Sequence, residues 1–141
     1  METVVQYRHL LFSNIPAKIA MSTYFSPEEF ACKCQRAECD AITQPSDTLL
    51  IKLNKIRESV GYALIVNSGI RCRWYNERVG GAGDSAHVTG EAADIRVHGS
   101  RERFEVVREA ARVGITRIGI AKSFVHLDVS ATADGEVLWL Y

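Results

Sequence analysis

The stretch SAHVTGEAADIRV, Ser85 to Val97, decides how this chain is read. Its second half alternates. Ala93, Ile95 and Val97 share one side of an extended segment, and Ala92, Asp94 and Arg96 share the other. The pattern predicts a half-buried strand over 91–97, entered from a loop with glycines at 80, 81, 83 and 90. A carboxylate at Asp94, in a strand otherwise rich in Ala, Ile and Val, needs a partner, because an uncompensated buried charge is costly. A cation meets that need, and His87 stands in the loop just before the strand.

Working outward, a second strand is predicted at Phe124–Val129. Alternation puts Phe124, His126 and Asp128 on one face, with Val125, Leu127 and Val129 toward the core. His87, Asp94 and His126 together offer two nitrogens and one oxygen. That set suits a catalytic Zn²⁺ that keeps a water in its remaining position, and such a water titrates near about pH 7 and becomes a usable nucleophile. Each residue alone also reads as a hydrogen-bonded loop or core residue. The combination is what points to a metal.

The remaining pattern frames these segments. Ser26-Pro27-Glu28-Glu29 is a short helix start with a capping box. Pro45-Ser46-Asp47 opens a helix with Leu49, Leu50, Leu53, Ile56 and Val60 at helical spacing, and Gly61 ends it. Ala63–Asn67 reads as a strand and Ser68–Gly90 as loop. Ser100 caps a further helix carrying Phe104, Val107, Ala110 and Ala111, which stops at Gly114. Strands follow at Arg117–Ala121 and Phe124–Val129, and Asp134-Gly135 turns the chain into a last strand, Glu136–Tyr141. The fold class is α+β, with helices packed on a small, mainly antiparallel sheet.

With 141 residues, 47% hydrophobic and 24% charged, the chain holds enough apolar mass for one domain. Its 17 basic and 17 acidic residues divide evenly along the length, seven of each before residue 71 and ten of each after. No half is basic, which argues against nucleic acid as a partner. No stretch reaches the roughly 18 apolar residues of a membrane span. Residues 1–20 lack the unbroken apolar run of a secretory signal. They are expected to be an extension outside a single domain at 21–141.

Four cysteines, Cys32, Cys34, Cys39 and Cys72, remain. A zinc knuckle prefers C-x2-C pairs, and C-x-C-x4-C with a distant fourth departs from that. The reading is one or two bridges or buried thiols, with a second metal site as the alternative. A bridge from Cys72 to one of the first three would tie the N-terminal turn to the middle of the chain.

Several segments together resemble the zinc D-Ala-D-Ala carboxypeptidase family of metallopeptidases, which includes phage and bacterial murein peptidases. They are Tyr24-Phe-Ser-Pro-Glu-Glu-Phe-Ala-Cys32, Ser68-Gly-Ile-Arg71, Tyr75-Asn76, Val79-Gly-Gly81, Ser85-x-His87-x-x-Gly90-x-Ala92-x-Asp94 and Phe124-Val-His126-x-Asp128. The resemblance implies a hedgehog/D-Ala-D-Ala-peptidase fold with His87, Asp94 and His126 as zinc ligands. It gives Arg71 a catalytic and substrate-binding role, holding a substrate carboxylate or polarising its carbonyl, for which a guanidinium is suited. Ser85 becomes a substrate-orienting hydroxyl. The implied reaction is metal-assisted hydrolysis of an amide in the stem peptide of peptidoglycan, by a monomer acting in the cell wall or periplasm, with phage delivery or release at lysis as routes there.

One position departs from the pattern. Many members carry an acidic residue three positions before the last histidine ligand, as the base, and here that position is Ser123. Asp128 is the nearest substitute. Its other reading, which we favour, is a carboxylate that accepts a hydrogen bond from a ligand histidine or orients Arg71. Glu91 and His98 are weaker candidates. Ser123 also motivates a different class of function, a cell-wall-binding or virion module that keeps the zinc site without hydrolysis.

Overall fold

The computed structural model describes residues 24–131 and 135–141. The extension expected at 1–20 lies outside the described residues. A single 3₁₀ turn, Pro27–Phe30, opens the described chain. Ser26 N–H donates to Glu29 Oε1 at 2.9 Å, as the capping box anticipates. Helix α1 spans Asp47–Val60, with Ser46 Oγ accepting from Leu49 N–H and Gly61 in the left-handed region at φ 79°. Strand β1 is Val66–Ser68, α2 is Arg73–Arg78, β2 is Ala92–Arg96 and α3 is Gly99–Arg112. Strands β3, β4 and β5 are Arg117–Ile120, Phe124–Asp128 and Val137–Leu140.

The five strands form one sheet in the order β1-β2-β4-β3-β5. Three pairings are antiparallel and only β3–β5 is parallel. Its inner face carries Ala93, Ile95, Ile118, Val125 and Leu127, packed with Leu49, Leu53 and Ile56 of α1 and Val106 and Ala110 of α3. The helices cover this face. The other face is therefore free to hold polar side chains, and register aligns them. Ser68 pairs with Asp94, Asp94 with His126, His126 with Gly119, and Gly119 with Trp139, a row running straight across the sheet. Ala92, Asp128, Arg117 and Val137 make the next row.

Gly119 is the position in that row where a side chain is forbidden. A Cβ there would lie 2.7 Å from the Trp139 indole and 2.7 Å from the Tyr141 ring. Its absence lets both rings lean over β3 toward His126, with centroids 5.2 and 6.4 Å from the imidazole.

Several expectations are corrected. The strand placed at 63–67 begins only at Val66, where its pairing with β2 starts and then shifts register. Helix α3 begins at Gly99 with His98 at its N-cap, so Ser100 is not the cap. Phe104 is exposed, while Val106, Glu109 and Ala110 face inward. The buried carboxylate of Glu109 is paired with Arg108 at 2.8 Å, and that polar residue on the inner stripe hid the true face. The loop-rich stretch contains α2, whose six residues offer no apolar stripe to read and whose cap is the sulfur of Cys72. None of the four cysteines is bridged; all are free thiols.

Candidate metal centre

His87 reaches the sheet from the loop after α2. Its carbonyl accepts from Arg71 N–H at 2.9 Å, and its Nδ1 lies 2.6 Å from the Gly69 carbonyl. A carbonyl can only accept, so Nδ1 carries the proton and Nε2 presents its lone pair inward. Gly69 must be glycine for this: a Cβ there would stand 2.6 Å from Phe30 Cα. Asp94 and His126 arrive as direct register partners on β2 and β4.

The three side chains point at one centre. His126 Nδ1 is 2.8 Å from Asp94 Oδ1 and 3.2 Å from His87 Nε2, and His87 Nε2 is 3.3 Å from Asp94 Oδ1. Metal–ligand arms of about 2.0–2.1 Å at tetrahedral angles separate donor atoms by about 3.3 Å. The donor set and its spacing therefore fit a divalent metal such as zinc. All three residues are buried.

Electrostatics hold the set together. Burial opposes ionisation of Asp94, yet the hydrogen bond with His126 and the nearby imidazole of His87 outweigh it and keep its carboxyl well below the usual carboxylate range. Burial likewise opposes protonation of His126, but Asp128 and Asp94 on its two sides raise its pKa. A metal would take the place of that proton, so binding releases it. The second oxygen of Asp94 accepts from Arg71 Nη2 at 2.9 Å.

Arg71 is held at three points. Besides Asp94, its Nε donates to Ser68 Oγ at 2.9 Å and its Nη1 to Asn76 Oδ1 at 3.4 Å. Asn76 is buried, and its amide donates to the Ala82 carbonyl at 2.8 Å. Asp128 lies behind His126, with Oδ2 3.7 Å from His126 Nε2 and 3.2 Å from Arg117 Nε. Its Oδ1 accepts from both Ser130 N–H and Ser130 Oγ. Burial raises its pKa, but His126, Ser130 and Arg117 overcome this and carry it down to about 2. Arg117 Nη1 is buried and has no partner among the described residues.

These residues line a cleft of about 460 Å³. Arg71, His87, Asp94, Arg117, His126 and Asp128 lie at its polar side, with Trp139 and Tyr141 as an aromatic wall. Ser85 also lines it, its Oγ accepting from His87 N–H at 3.4 Å. The structure thus brings Arg71, Ser85, His87, Asp94, His126 and Asp128 together. It does not bring in the weaker candidates. Glu91 is engaged by Thr89 at 2.6 Å, and His98 is exposed at the start of α3. Ser123 is exposed and its carbonyl accepts from Val97 N–H.

A family model described as Peptidase M15 matches residues 23–128. The chain belongs to the peptidase M15 family. M15 peptidases are metal-dependent, and the His87, Asp94 and His126 cluster is a group that could bind the ion. Membership points to a metallopeptidase with a peptide substrate. The α+β architecture agrees with the M15 fold. A search of curated proteins found no match. No helix among the described residues is long and apolar enough to cross a membrane.

Sequence reasoning missed Asp84, Arg117, Ser130, Trp139 and Tyr141 as parts of the cleft, and it gave Ser68 and Asn76 no role in holding Arg71. The row Asp94–His126–Gly119–Trp139 was derivable only with the strand order in hand. The signal available for Arg117 was alternation: it shares a face with Gly119, one residue beyond which the strand turns apolar again.

Proposed function

We propose that this M15 chain is a zinc-dependent hydrolase of an amide bond in peptidoglycan stem peptides, acting as a monomer. The observation that carries the reading is the convergence of His87 Nε2, Asp94 Oδ1 and His126 Nδ1 at one point on the cleft floor. Those three side chains would hold the ion. When bound, zinc supplies Lewis-acid activation of water and of the scissile carbonyl.

The chain's own residues supply the rest. Arg71, fixed by Ser68, Asn76 and Asp94, aims a rigid guanidinium at the position where negative charge develops on the carbonyl oxygen. Arg117 lines the cleft beside Asp128 and adds a second guanidinium charge to its polar side, favourable to a substrate carboxylate. Stem peptides carry free carboxylates, and two arginines in one cleft match them. Trp139 and Tyr141 shield one side from water. Asp128 holds the imidazole of His126 in place. A carboxyl acid with a pKa near about 2 is a weak base, and both of its oxygens are already engaged. The remaining carboxylate lining the cleft is the exposed Asp84, which is free to take the proton and return it to the leaving amine.

The test is a digest of purified peptidoglycan with zinc-loaded protein, read as muropeptides by mass spectrometry. Wild type is expected to release products that His87→Ala does not. Identical profiles refute the reading. Asp84→Asn and Asp128→Asn separate the two carboxylates: loss of turnover with zinc retained marks the proton acceptor, and loss of zinc affinity marks the residue that holds His126.

The position of Ser123 supports a second reading, a stem-peptide-binding module without turnover. It predicts one bound zinc at this centre and saturable binding of a stem peptide, with no new muropeptides.

A further inference from the structure

A second cluster lies apart from the histidine–aspartate centre. Cys32, Cys34 and Cys39 come from the loop after the 3₁₀ turn, and Cys72 caps α2. The four Sγ atoms all lie within 4.8 Å of one another. Cys72 is buried, Cys32 and Cys34 are half-buried and Cys39 is exposed.

Neutral thiols are weak donors and weak acceptors, and four of them gain little by meeting at one point. Two disulfides would need only two close pairs, each with sulfurs about 2 Å apart. One tetrahedral ion, in contrast, requires all four sulfurs to be mutual neighbours. With Zn–S arms of about 2.3 Å, the edges of the tetrahedron are about 3.8 Å, inside the observed 4.8 Å envelope.

The surrounding backbone suits charged sulfur. Cys72 N–H donates to Cys32 Sγ at 3.2 Å, Tyr75 N–H to Cys72 Sγ at 3.3 Å and Arg36 N–H to Cys34 Sγ at 3.5 Å. The last bond closes a tight turn around Gln35, the one non-glycine residue with positive φ among those described, at 55°. Turns of this kind aim amides at a metal-bound thiolate and offset its charge. Lys33, Arg36 and Arg73 adjoin the cysteines in sequence, a basic setting for a site that would carry net negative charge. The one-residue spacing of Cys32 and Cys34 is thus compatible with a zinc knuckle, because the turn is made after the second cysteine.

We propose that Cys32, Cys34, Cys39 and Cys72 bind a structural zinc ion, separate from the His87–Asp94–His126 centre. Four S–H protons leave as four Zn–S bonds form, and the ion stays Zn²⁺ throughout. All four positions are filled by protein, so the site is closed and structural. It staples the 32–39 loop to residue 72, next to Arg71, whose guanidinium reaches Asp94 at 2.9 Å. The ion would therefore also fix the segment that presents the cleft arginine.

The test uses the full chain, purified with zinc present, with metal counted by mass spectrometry and the ligand shell read by X-ray absorption at the zinc edge. Two zinc ions per wild-type chain are expected. His126→Ala should keep one, with a shell of four sulfurs at about 2.3 Å. The double variant Cys34→Ser, Cys39→Ser should keep one with a nitrogen/oxygen shell. A four-sulfur zinc in His126→Ala upholds the inference even where wild type proves to have no peptidase activity. Wild-type protein gives the answer without relying on a variant: a mercurial reagent should release one zinc as four thiols react. Any disulfide among the four in the native protein, seen as missing hydrogens in the intact mass, overturns the inference. So does His126→Ala without zinc, or four thiols that react with no metal released.

Discussion

Gly69→Ala perturbs the centre without touching a ligand. The new Cβ would stand 2.6 Å from Phe30 Cα and 2.8 Å from the Phe30 carbonyl oxygen. Both are backbone atoms of a fully buried residue, so neither can swing aside. Carbon atoms rest about 3.5 Å apart or more, so the two segments must separate by roughly 0.9 Å. The Gly69 carbonyl, 2.6 Å from His87 Nδ1, is drawn with them. Its bond then stretches toward about 3.5 Å, the edge of what counts as a hydrogen bond. Overpacking costs about 1–3 kcal/mol and the weakened bond about 1 kcal/mol. A total of roughly 2–4 kcal/mol lowers Tm by roughly 8–16 °C at about 4 °C per kcal/mol. Losing the group that fixes a ligand histidine's ring should reduce zinc affinity about 10–100-fold. Calorimetry gives the first figure and competition against a chromophoric chelator the second. Gly83→Ala is the control, since a Cβ there meets nothing within 4 Å. Gly69→Ala protein that melts and binds zinc as wild type does would refute the reasoning.

Arg71→Lys keeps one cation but cannot serve Ser68, Asn76 and Asp94 together; kcat/KM should fall about 100-fold or more, with zinc content unchanged by metal analysis. Gly119→Ala drives a methyl into Trp139 and Tyr141; KM should rise and near-ultraviolet circular dichroism should change, at a cost of about 1–3 kcal/mol in denaturant unfolding. Burial, then the Glu105 carboxylate that accepts from Tyr62 Oη at 3.1 Å, pushes the Tyr62 phenol up to about 12. The unfolded chain, with its phenol near about 10, therefore loses its proton first. Stability from this group is complete below about pH 10 and is lost as pH rises toward 12. Tyr62→Phe should flatten that alkaline branch in urea unfolding curves taken across the range.

Local chemistry made much of this structure readable. Ser46 and Gly61 bound α1 because capping and left-handed termination are properties of single residues. Strand alternation sorted Ala93, Ile95, Val125 and Leu127 inward and Asp94 and His126 outward, which was enough to bring the ligand set into view. What stayed hidden depends on partners distant in sequence. The parallel pairing of β5 with β3 leaves no local mark, so the aromatic wall could not be foreseen. The inner face of α3 was misread because Glu109 is buried by virtue of arginines, not of its own character. Helix α2 was missed because a cysteine sulfur does the work of a capping oxygen. Cysteine spacing alone left bridges, buried thiols and a second metal site open, and only the meeting of residue 72 with 32–39 puts four sulfurs in one place.

The chain has two tryptophans. Trp139 leans over Gly119 with its ring centroid 5.2 Å from that of His126. Trp74 packs against the guanidinium groups of Arg36 and Arg78, at 4.7 and 5.0 Å from its ring centroid, two residues along from Cys72. Nature has thus placed one intrinsic fluorophore beside each cluster. Protein with Trp74→Phe leaves only the indole next to the imidazoles, and protein with Trp139→Phe leaves only the one beside the sulfurs. Emission from the two forms should let filling of each cluster be followed in real time, without any label.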